Sequence, residues 1–199
     1  MTRFILMGGG QDKADKKALG AAVFENCPGQ ARLLICLFAR NRNTADWQAL
    51  FAGNAAFFRE MAPPCADIAF SLASEEDFAQ QVAAADIIYF SGGDSVPLYS
   101  ALARTGSEWT ERLGGKTVIG TSASCDMLST YTYCLQQDAL DRGLGLVKVK
   151  TIPHYEAGED HRPGIGWAQA LEALKNYGEG LPVYMLHEGE FVVTTEEIG

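Results

Sequence analysis

The sequence predicts an α/β fold, in which a three-layer arrangement places a mainly parallel sheet between helices. Short apolar runs alternate with segments of helical periodicity along the chain, and this alternation is typical of a parallel sheet with helices on both faces. The composition, with 47% hydrophobic and 21% charged residues, is that of a soluble globular protein. Because a chain of 199 residues can bury a sizeable core, we expect residues 1–199 to form a single α/β domain.

The apolar runs and the periodic segments give the expected elements in chain order. Eight runs are predicted as strands: Arg3–Met7, Arg32–Phe38, Asp67–Phe70, Asp86–Phe90, Lys116–Ile119, Leu146–Ile152, Val183–Leu186 and Phe191–Thr194. Six segments are predicted as helices: Lys13–Glu25, Thr44–Met61, Glu75–Ala84, Val96–Arg104, Asp126–Cys134 and Gly166–Tyr177. In the second of these helices, six apolar residues fit one face: Trp47, Leu50, Phe51, Phe57, Phe58 and Met61.

The charge and the cysteines exclude several classes of function. The formal net charge is −9 and no block rich in Lys or Arg occurs, so we expect no nucleic acid and no anionic membrane as partner. The start of the chain is not typical of a signal peptide, and no apolar run is long enough to span a membrane. An odd number of cysteines without a C-x-x-C pair predicts no disulfide framework, no metal site and a reducing, cytoplasmic setting. These cysteines are Cys27, Cys36, Cys65, Cys125 and Cys134.

Four loops that contain glycine, serine or histidine directly follow predicted strands. They cover residues 8–10, 91–94, 120–124 and 153–155. Because sites in open parallel sheets form beyond the carboxyl ends of the strands, we expect these loops to meet at one edge of the sheet. The sequence therefore predicts a functional site at that edge.

The loop 120–124 reads GTSAS and is similar to the strained strand-to-helix turn with the pattern G-x-S-x-G, which presents a nucleophile. Ser122 has a glycine two positions before it and a small residue two positions after it. Ser124 or Cys125 as the central residue would instead place Asp126 or Met127 where the strand and helix cross. The register therefore favours Ser122 as the nucleophile. A serine-capped junction without any chemistry is the alternative.

A serine nucleophile needs a base within hydrogen-bond reach, and the chain has three histidines. His154 follows an apolar strand and can lie at the same edge as Ser122, whereas His161 lies in a polar loop and His187 in a turn. We therefore expect His154 to be the base. The pattern alone leaves open which carboxylate orients it, although Glu188 has the advantage of following a predicted strand. The candidates are Asp126, Asp138, Asp141, Glu156 and Glu188.

Gly92, Gly93 and Asp94 follow one predicted strand and precede a helix. Glycines at such a place permit either a tight turn or the close approach of backbone amides to an anion. Phosphate binding is not favoured, because neither G-x-G-x-x-G nor G-x-x-x-x-G-K-[ST] occurs here or in the early segment MGGGQDK. A donor to an oxyanion fits better if Ser122 is the nucleophile.

Four segments together resemble the serine peptidase family of dipeptidase E (aspartyl dipeptidase) and cyanophycinase. IIYFSGGDS (87–95) is similar to the family's strand ending in Gly-Gly-Asn/Asp-Thr/Ser, and VIGTSASCD (118–126) to its Gly-x-Ser-Ala-Gly-Ala elbow. TIPHY (151–155) is similar to its Asn-Pro-His-Phe/Tyr segment, and MLHEGEFVV (185–193) to its Leu-Pro-Glu-Gly strand turn. The four occur in the family's order and span most of the chain.

The resemblance implies a fold related to class I glutamine amidotransferases, which is flavodoxin-like. It implies that Ser122 is the nucleophile, that His154 is the base and that Glu188 is the acid that orients this base. It also implies an oxyanion hole formed by amides near Gly93 and Ala123, and neither a metal nor an organic cofactor. Gly92 and Asp94, which flank Gly93 of the expected oxyanion hole, are expected to contact the substrate.

The sequence departs from the family's pattern in two places. Ser124 replaces the second glycine of the elbow, and Cys125 follows it. After the histidine, aspartyl dipeptidases have a Gly-His-x-Gly-Glu-Thr-Arg-Glu-x-Arg stretch whose arginine helps to hold the substrate's aspartate. The matching stretch AGEDHRPGIGWAQAL keeps His161 and Arg162 but lacks the Thr-Arg-Glu helix start, so Asp-X specificity is not expected to follow. Arg162 remains a candidate partner for a substrate carboxylate.

We therefore expect a serine-type exopeptidase that hydrolyses short peptides or related amides. One alternative is a catalytically inactive homologue that binds a small ligand on the same fold. Another is a thiol enzyme that uses Cys125, which the register of the elbow disfavours. The expected partners are a small peptide substrate and, as one option, a second copy of the chain in a homodimer.

Overall fold

The computed structural model describes residues 1–198 apart from residues 26, 28, 65 and 159–162. Within these residues the strands are β1 (Thr2–Met7), β2 (Gln30–Cys36), β3 (Asp67–Leu72), β4 (Ile87–Phe90), β5 (Thr117–Thr121), β6 (Ser129–Cys134), β7 (Ala139–Arg142), β8 (Val147–Pro153), β9 (Val183–Leu186) and β10 (Phe191–Glu196). The helices are α1 (Lys16–Phe24), α2 (Trp47–Met61), α3 (Phe78–Ala84), α4 (Ser95–Thr105), α5 (Glu108–Glu111), α6 (Ala123–Leu128) and α7 (Trp167–Asn176). None of the helices in this part of the chain is long and apolar enough to cross a bilayer.

The strands form two sheets, and most of the strand pairs are parallel. The larger sheet has the order β10-β1-β5-β4-β2-β3, in which only the pair between β10 and β1 is antiparallel. The smaller sheet has the order β7-β6-β8-β9, with an antiparallel hairpin of β6 and β7 at one end. Parallel neighbours need crossover connections, and helices supply them in the larger sheet. The predicted three-layer α/β fold with a mainly parallel sheet is therefore confirmed.

The core consists of two apolar layers, one on each face of the larger sheet. Because successive side chains of a strand point to opposite faces, β1 contributes to both layers. Ile5 and Met7 pack in the layer that contains α1 and α2. Phe4 and Leu6 pack in the layer that contains residues of α3 to α6 and of the smaller sheet. A third, smaller cluster packs α7 against the smaller sheet.

The helix predicted for Asp126–Cys134 is wrong in its second half. Helix α6 ends at Leu128, and residues 129–134 form strand β6, which pairs with both β7 and β8. The sequence STYTYC alternates β-branched, polar and aromatic residues, which suits a strand packed on one face. The hydroxyl of Ser129 donates to the carbonyl of Cys125 (2.8 Å) at the point where the helix ends. Strand β7 and the short helix α5 were not predicted from the pattern.

The strand that carries His154 belongs to the smaller sheet, whereas the strand that carries Ser122 belongs to the larger one. The two sheets nevertheless meet at the carboxyl end of β1. The amide of His154 donates to the carbonyl of Gly8 (2.8 Å), and the amide of Gly8 donates to the carbonyl of Glu190 (3.0 Å). The predicted convergence of four loops at one edge is thus produced by two sheets rather than one.

Lys150, on β8 of the smaller sheet, binds the end of helix α7. Its side chain is fully buried, and its ammonium donates to the carbonyls of Leu174 (3.0 Å), Lys175 (2.8 Å) and Tyr177 (2.7 Å) at the end of α7. Lys150→Met would leave these carbonyls without their donor, so we expect urea denaturation to show a free energy of unfolding lower by about 2–4 kcal/mol. Lys148→Met, at an exposed position of β8, is the matched control. Equal stabilities of the two variants would contradict this account.

Candidate active site

The turn between β5 and α6 holds Ser122 in a strained backbone conformation. Its φ is 56° and its ψ is −122°, a region that residues other than glycine rarely adopt. The conformation is held by a bond from the Ser122 amide to the carbonyl of Met7 (3.0 Å) and by bonds to the Ser122 carbonyl from the amides of Cys125 (2.8 Å) and Asp126 (3.1 Å). A Cβ at Gly120 would lie 2.5 Å from the Leu128 side chain, so the glycine lets the helix cross close to the strand.

Ser124 and Cys125, the other two candidate nucleophiles, are turned away from the site. Both are buried within helix α6, and neither lines the cavity that contains Ser122. The Ser124 hydroxyl donates to the carbonyl of Ser91 (2.7 Å), and φ at Ser124 is not positive, so a serine fits where the family has glycine. Burial raises the pKa of the Cys125 thiol well above its usual value. A buried thiol of this kind is inert, which favours Ser122 over Cys125 as nucleophile.

His154 lies against Ser122, with its Nε2 atom 2.8 Å from the serine Oγ. Its backbone φ is 55°, which turns the ring away from the direction of β8 and over the end of β1. The ring packs so closely on Gly9 that a Cβ there would lie 2.1 Å from the His154 Cε1 atom. The glycine at position 9 is therefore required by the imidazole that covers it.

Glu188 places a carboxylate beside His154. Its Oε1 atom lies 3.4 Å from the His154 Nδ1 atom, and its Oε2 atom forms an ion pair with Lys13. The hydrogen bond from Lys13 is the main cause that lowers the pKa of Glu188, and His154 lowers it further. The carboxylate therefore stays ionised in the range in which a histidine titrates. A Cβ at Gly10 would lie 2.7 Å from the Glu188 Cβ, so this glycine also makes room for the site.

The other four carboxylates considered from the sequence have different surroundings. Asp126 is buried and accepts from Thr132, and burial raises its pKa well above the usual value. Asp138 accepts from the Tyr133 hydroxyl (2.9 Å) and from the backbone amide of residue 164 (2.9 Å). Asp141 lines the cavity beside Asp126, and Glu156 lies in the turn after His154. Among the described residues, none of these four forms an ion pair with His154.

The glycine loop after β4 lies beside the Ser122 side chain. A Cβ at Gly92 would lie 3.0 Å from the Ser122 Cβ, and a Cβ at Gly93 would lie 2.3 Å from the carbonyl oxygen of Ala39. Both glycines line the cavity, as does Ala123, whose amide opens helix α6 and has no acceptor within that helix. The Asp94 side chain accepts a hydrogen bond from the amide of Val96 (2.8 Å) and so caps the N-terminus of α4. Contact of Asp94 with a substrate stays a prediction.

A cavity of about 770 Å³ contains Ser122 and His154 in its wall and is lined by both acidic and basic side chains. Asp126 and Asp141 line the side near α6 and the β6–β7 hairpin, together with Tyr99, whose pKa is raised by burial and by these two acids. Polar residues of α1, α2 and the loops after β1 and β2 also line the cavity: Gln11, Asp12, Lys16, Arg40 and Asn54. A volume of this size suits a small molecule. Arg162, the predicted carboxylate partner, and His161 lie outside the described residues.

Several residues of the site were missed by the sequence reasoning. No sequence motif marks Lys13, Arg40, Tyr99 or the β6–β7 hairpin as part of a site. A usable signal existed for Lys13, because the segment MGGGQDK follows β1 at the same edge as the other three loops. Its glycines fit no phosphate-binding spacing, and their purpose is instead to let His154 and Glu188 approach.

Comparisons with known proteins found a matching family model and solved structures with the same fold. The family model described as peptidase family S51 matches residues 4–198. A solved structure of a putative peptidase E protein from Listeria monocytogenes EGD-e superposes with a TM-score of 0.66 at 17% identity, covering 99% of this chain and 100% of that one. A peptidase from an acI-B1 Actinobacterium gives a TM-score of 0.61 at 21% identity, covering 98% of this chain and 83% of that one. At these identities the two structures show a shared fold, and no curated protein matched the sequence.

The packing of His154 on Gly9 gives a second prediction. Gly9→Ala would place a methyl group where the ring lies, at a φ of 110° that disfavours alanine. The ring must move, so we expect the rate at which a fluorophosphonate labels Ser122 to fall by about 100-fold while circular dichroism shows a folded protein.

Gly114→Ala is the matched control, because a Cβ at Gly114 would meet nothing within 4 Å. Labelling of Gly9→Ala at the wild-type rate would show that the ring does not need its position over this glycine.

Proposed function

The chain belongs to peptidase family S51, and from this membership we propose that it hydrolyses short peptides through a triad of Ser122, His154 and Glu188. Membership of the family supports serine peptidase function. The single observation that carries the triad is the 2.8 Å contact between the His154 Nε2 atom and the Ser122 Oγ atom at the strained turn. A base at hydrogen-bond distance from a serine is what activates its hydroxyl as a nucleophile.

The proposed reaction has two stages. Ser122 Oγ attacks the carbonyl carbon of the peptide bond while His154 Nε2 takes the hydroxyl proton. The C–N bond then breaks as His154 returns this proton to the leaving amine, and an ester with Ser122 remains. In the second stage a water molecule gives a proton to His154 and attacks the ester. The C–O bond to Ser122 breaks, the serine regains its proton, and the carboxylic acid leaves.

Glu188 orients the histidine in this scheme. Its carboxylate lies toward Nδ1, so it favours the tautomer in which Nδ1 carries the proton and Nε2 is free to accept the proton of Ser122. The lowered pKa of Glu188 keeps it ionised while the imidazolium forms. The amides of Ala123 and Gly93 are the proposed donors to the oxyanion. Both residues line the cavity beside Ser122, and α6 begins at Ala123.

The charge distribution of the cavity supports an exopeptidase that takes short peptides with free ends. His154 must protonate the leaving amine, so the leaving residue lies on the side of the loop after β1. There Arg40 and Lys16 can receive its carboxylate. The acyl portion then lies toward Asp126 and Asp141, which can receive a free α-ammonium group. A cavity of about 770 Å³ leaves room for few residues beyond these two ends.

The test is turnover of a dipeptide library, followed by mass spectrometry, with the wild type and Ser122→Ala. We expect the wild type to cleave a subset of free dipeptides and to leave their N-acetylated analogues largely intact. Loss of the nucleophile should reduce kcat by at least about 10⁴-fold, with binding of the preferred dipeptide retained.

Two results would contradict the proposal. Turnover in Ser122→Ala at the wild-type rate would exclude this serine as the nucleophile. A wild type that binds dipeptides but cleaves none would favour the inactive, ligand-binding homologue.

A further inference from the structure

Lys13 contacts the face of Glu188 that is turned away from His154. The Lys13 ammonium pairs with the Glu188 Oε2 atom, and the Oε1 atom lies 3.4 Å from His154 Nδ1. We propose that Lys13 is a positioning residue of the site, which holds one oxygen of Glu188 so that the carboxylate is shared between an ammonium group and the imidazole. This inference rests on the proposed function, because it extends the triad by one member.

The backbone places Lys13 against the turn that carries Glu188. Lys13 ends the 3₁₀ turn of residues 11–13, and its amide donates to the carbonyl of Gly10 (2.8 Å). A Cβ at Gly189 would lie 2.7 Å from the Lys13 carbonyl oxygen, and the Gly189 amide donates to the carbonyl of Gly9 (2.8 Å). The two turns therefore pack backbone to backbone. The Lys13 side chain is 59% exposed, so it is the packed backbone on both sides that distinguishes the Lys13–Glu188 pair from an ordinary surface ion pair, in which only flexible side chains meet.

A shared carboxylate changes the protonation of the histidine. The positive charge of Lys13 disfavours a second positive charge nearby, so it opposes the conversion of His154 to imidazolium. The neutral imidazole is the form that can accept the proton of Ser122, and Lys13 extends its range toward lower pH. Within the described residues, the charged groups that act on Glu188 are Lys13 and His154, and Asp12 adds a negative charge beside Lys13. Glu190, on the same turn as Glu188, accepts from the backbone amide of His187 (3.0 Å).

The test is an NMR titration of the histidine side chains in the full chain, with the His154 signal assigned by its loss in His154→Gln. Lys13→Met removes the positive charge, so we expect the pKa of His154 to rise by about half a pH unit. Lys13→Arg keeps the charge and should leave that pKa unchanged. Lys17→Met is the matched control, because it removes an exposed lysine on the neighbouring helix.

Activity provides the second readout. The acid limb of the pH profile of kcat/KM should move to higher pH by the same half unit in Lys13→Met and in neither control. A His154 pKa that does not change, or that falls, in Lys13→Met would overturn the proposal. The NMR result does not depend on turnover, so a wild type without peptidase activity would defeat the proposed function and still leave the role of Lys13 decided.

Discussion

The carboxyl end of β1 is the constraint on which the rest of the site depends. The carbonyls of residues 7, 8 and 9 accept, in that order, from the amides of Ser122, His154 and Gly189. One short stretch of backbone therefore fixes the proposed nucleophile, the proposed base and the turn that carries the proposed acid, although these come from three parts of the chain and two sheets. Such close approach is possible because residues 8–10 are glycines. A Cβ at Gly8 would collide with the backbone just before Glu188, a Cβ at Gly9 with the His154 ring, and a Cβ at Gly10 with the Glu188 side chain. Rigid placement of this kind is what serine catalysis requires.

Two carboxylates near the site, Glu188 and Asp126, have pKa values that their surroundings shift in opposite directions. Glu188 has two basic partners, and its pKa is lowered, chiefly by the hydrogen bond from Lys13. Asp126 lies one helical turn beyond Ser122, is buried, and has a raised pKa because burial disfavours its charge. Titratable groups whose surroundings push their pKa values apart identify different roles. Glu188 is suited to support an imidazolium, whereas burial favours the neutral form of Asp126.

Much of the fold and part of the site could be predicted from the sequence. The central strands are short apolar runs, so their positions were clear, and the elbow register and strand-end rule led to Ser122 and His154. Glu188 is identified only by the family resemblance, because five acids are compatible with the pattern and the position of Glu188 after a strand does not decide between them. The helix predicted over residues 129–134 is wrong because STYTYC follows a helical turn without a break, and only pairing with β7 and β8 makes this segment a strand. Lys13 was missed because its contact is made between residues 175 positions apart.

A crystal structure of the protein after reaction with a fluorophosphonate would test the proposed serine mechanism, because the adduct imitates the tetrahedral intermediate. We expect phosphorus bound to Ser122 Oγ, with one phosphonyl oxygen within hydrogen-bond distance of the Ala123 and Gly93 amides and His154 Nε2 near a second oxygen. An adduct on another residue would contradict the choice of nucleophile. An adduct on Ser122 whose oxygens face away from both amides would contradict the proposed oxyanion hole.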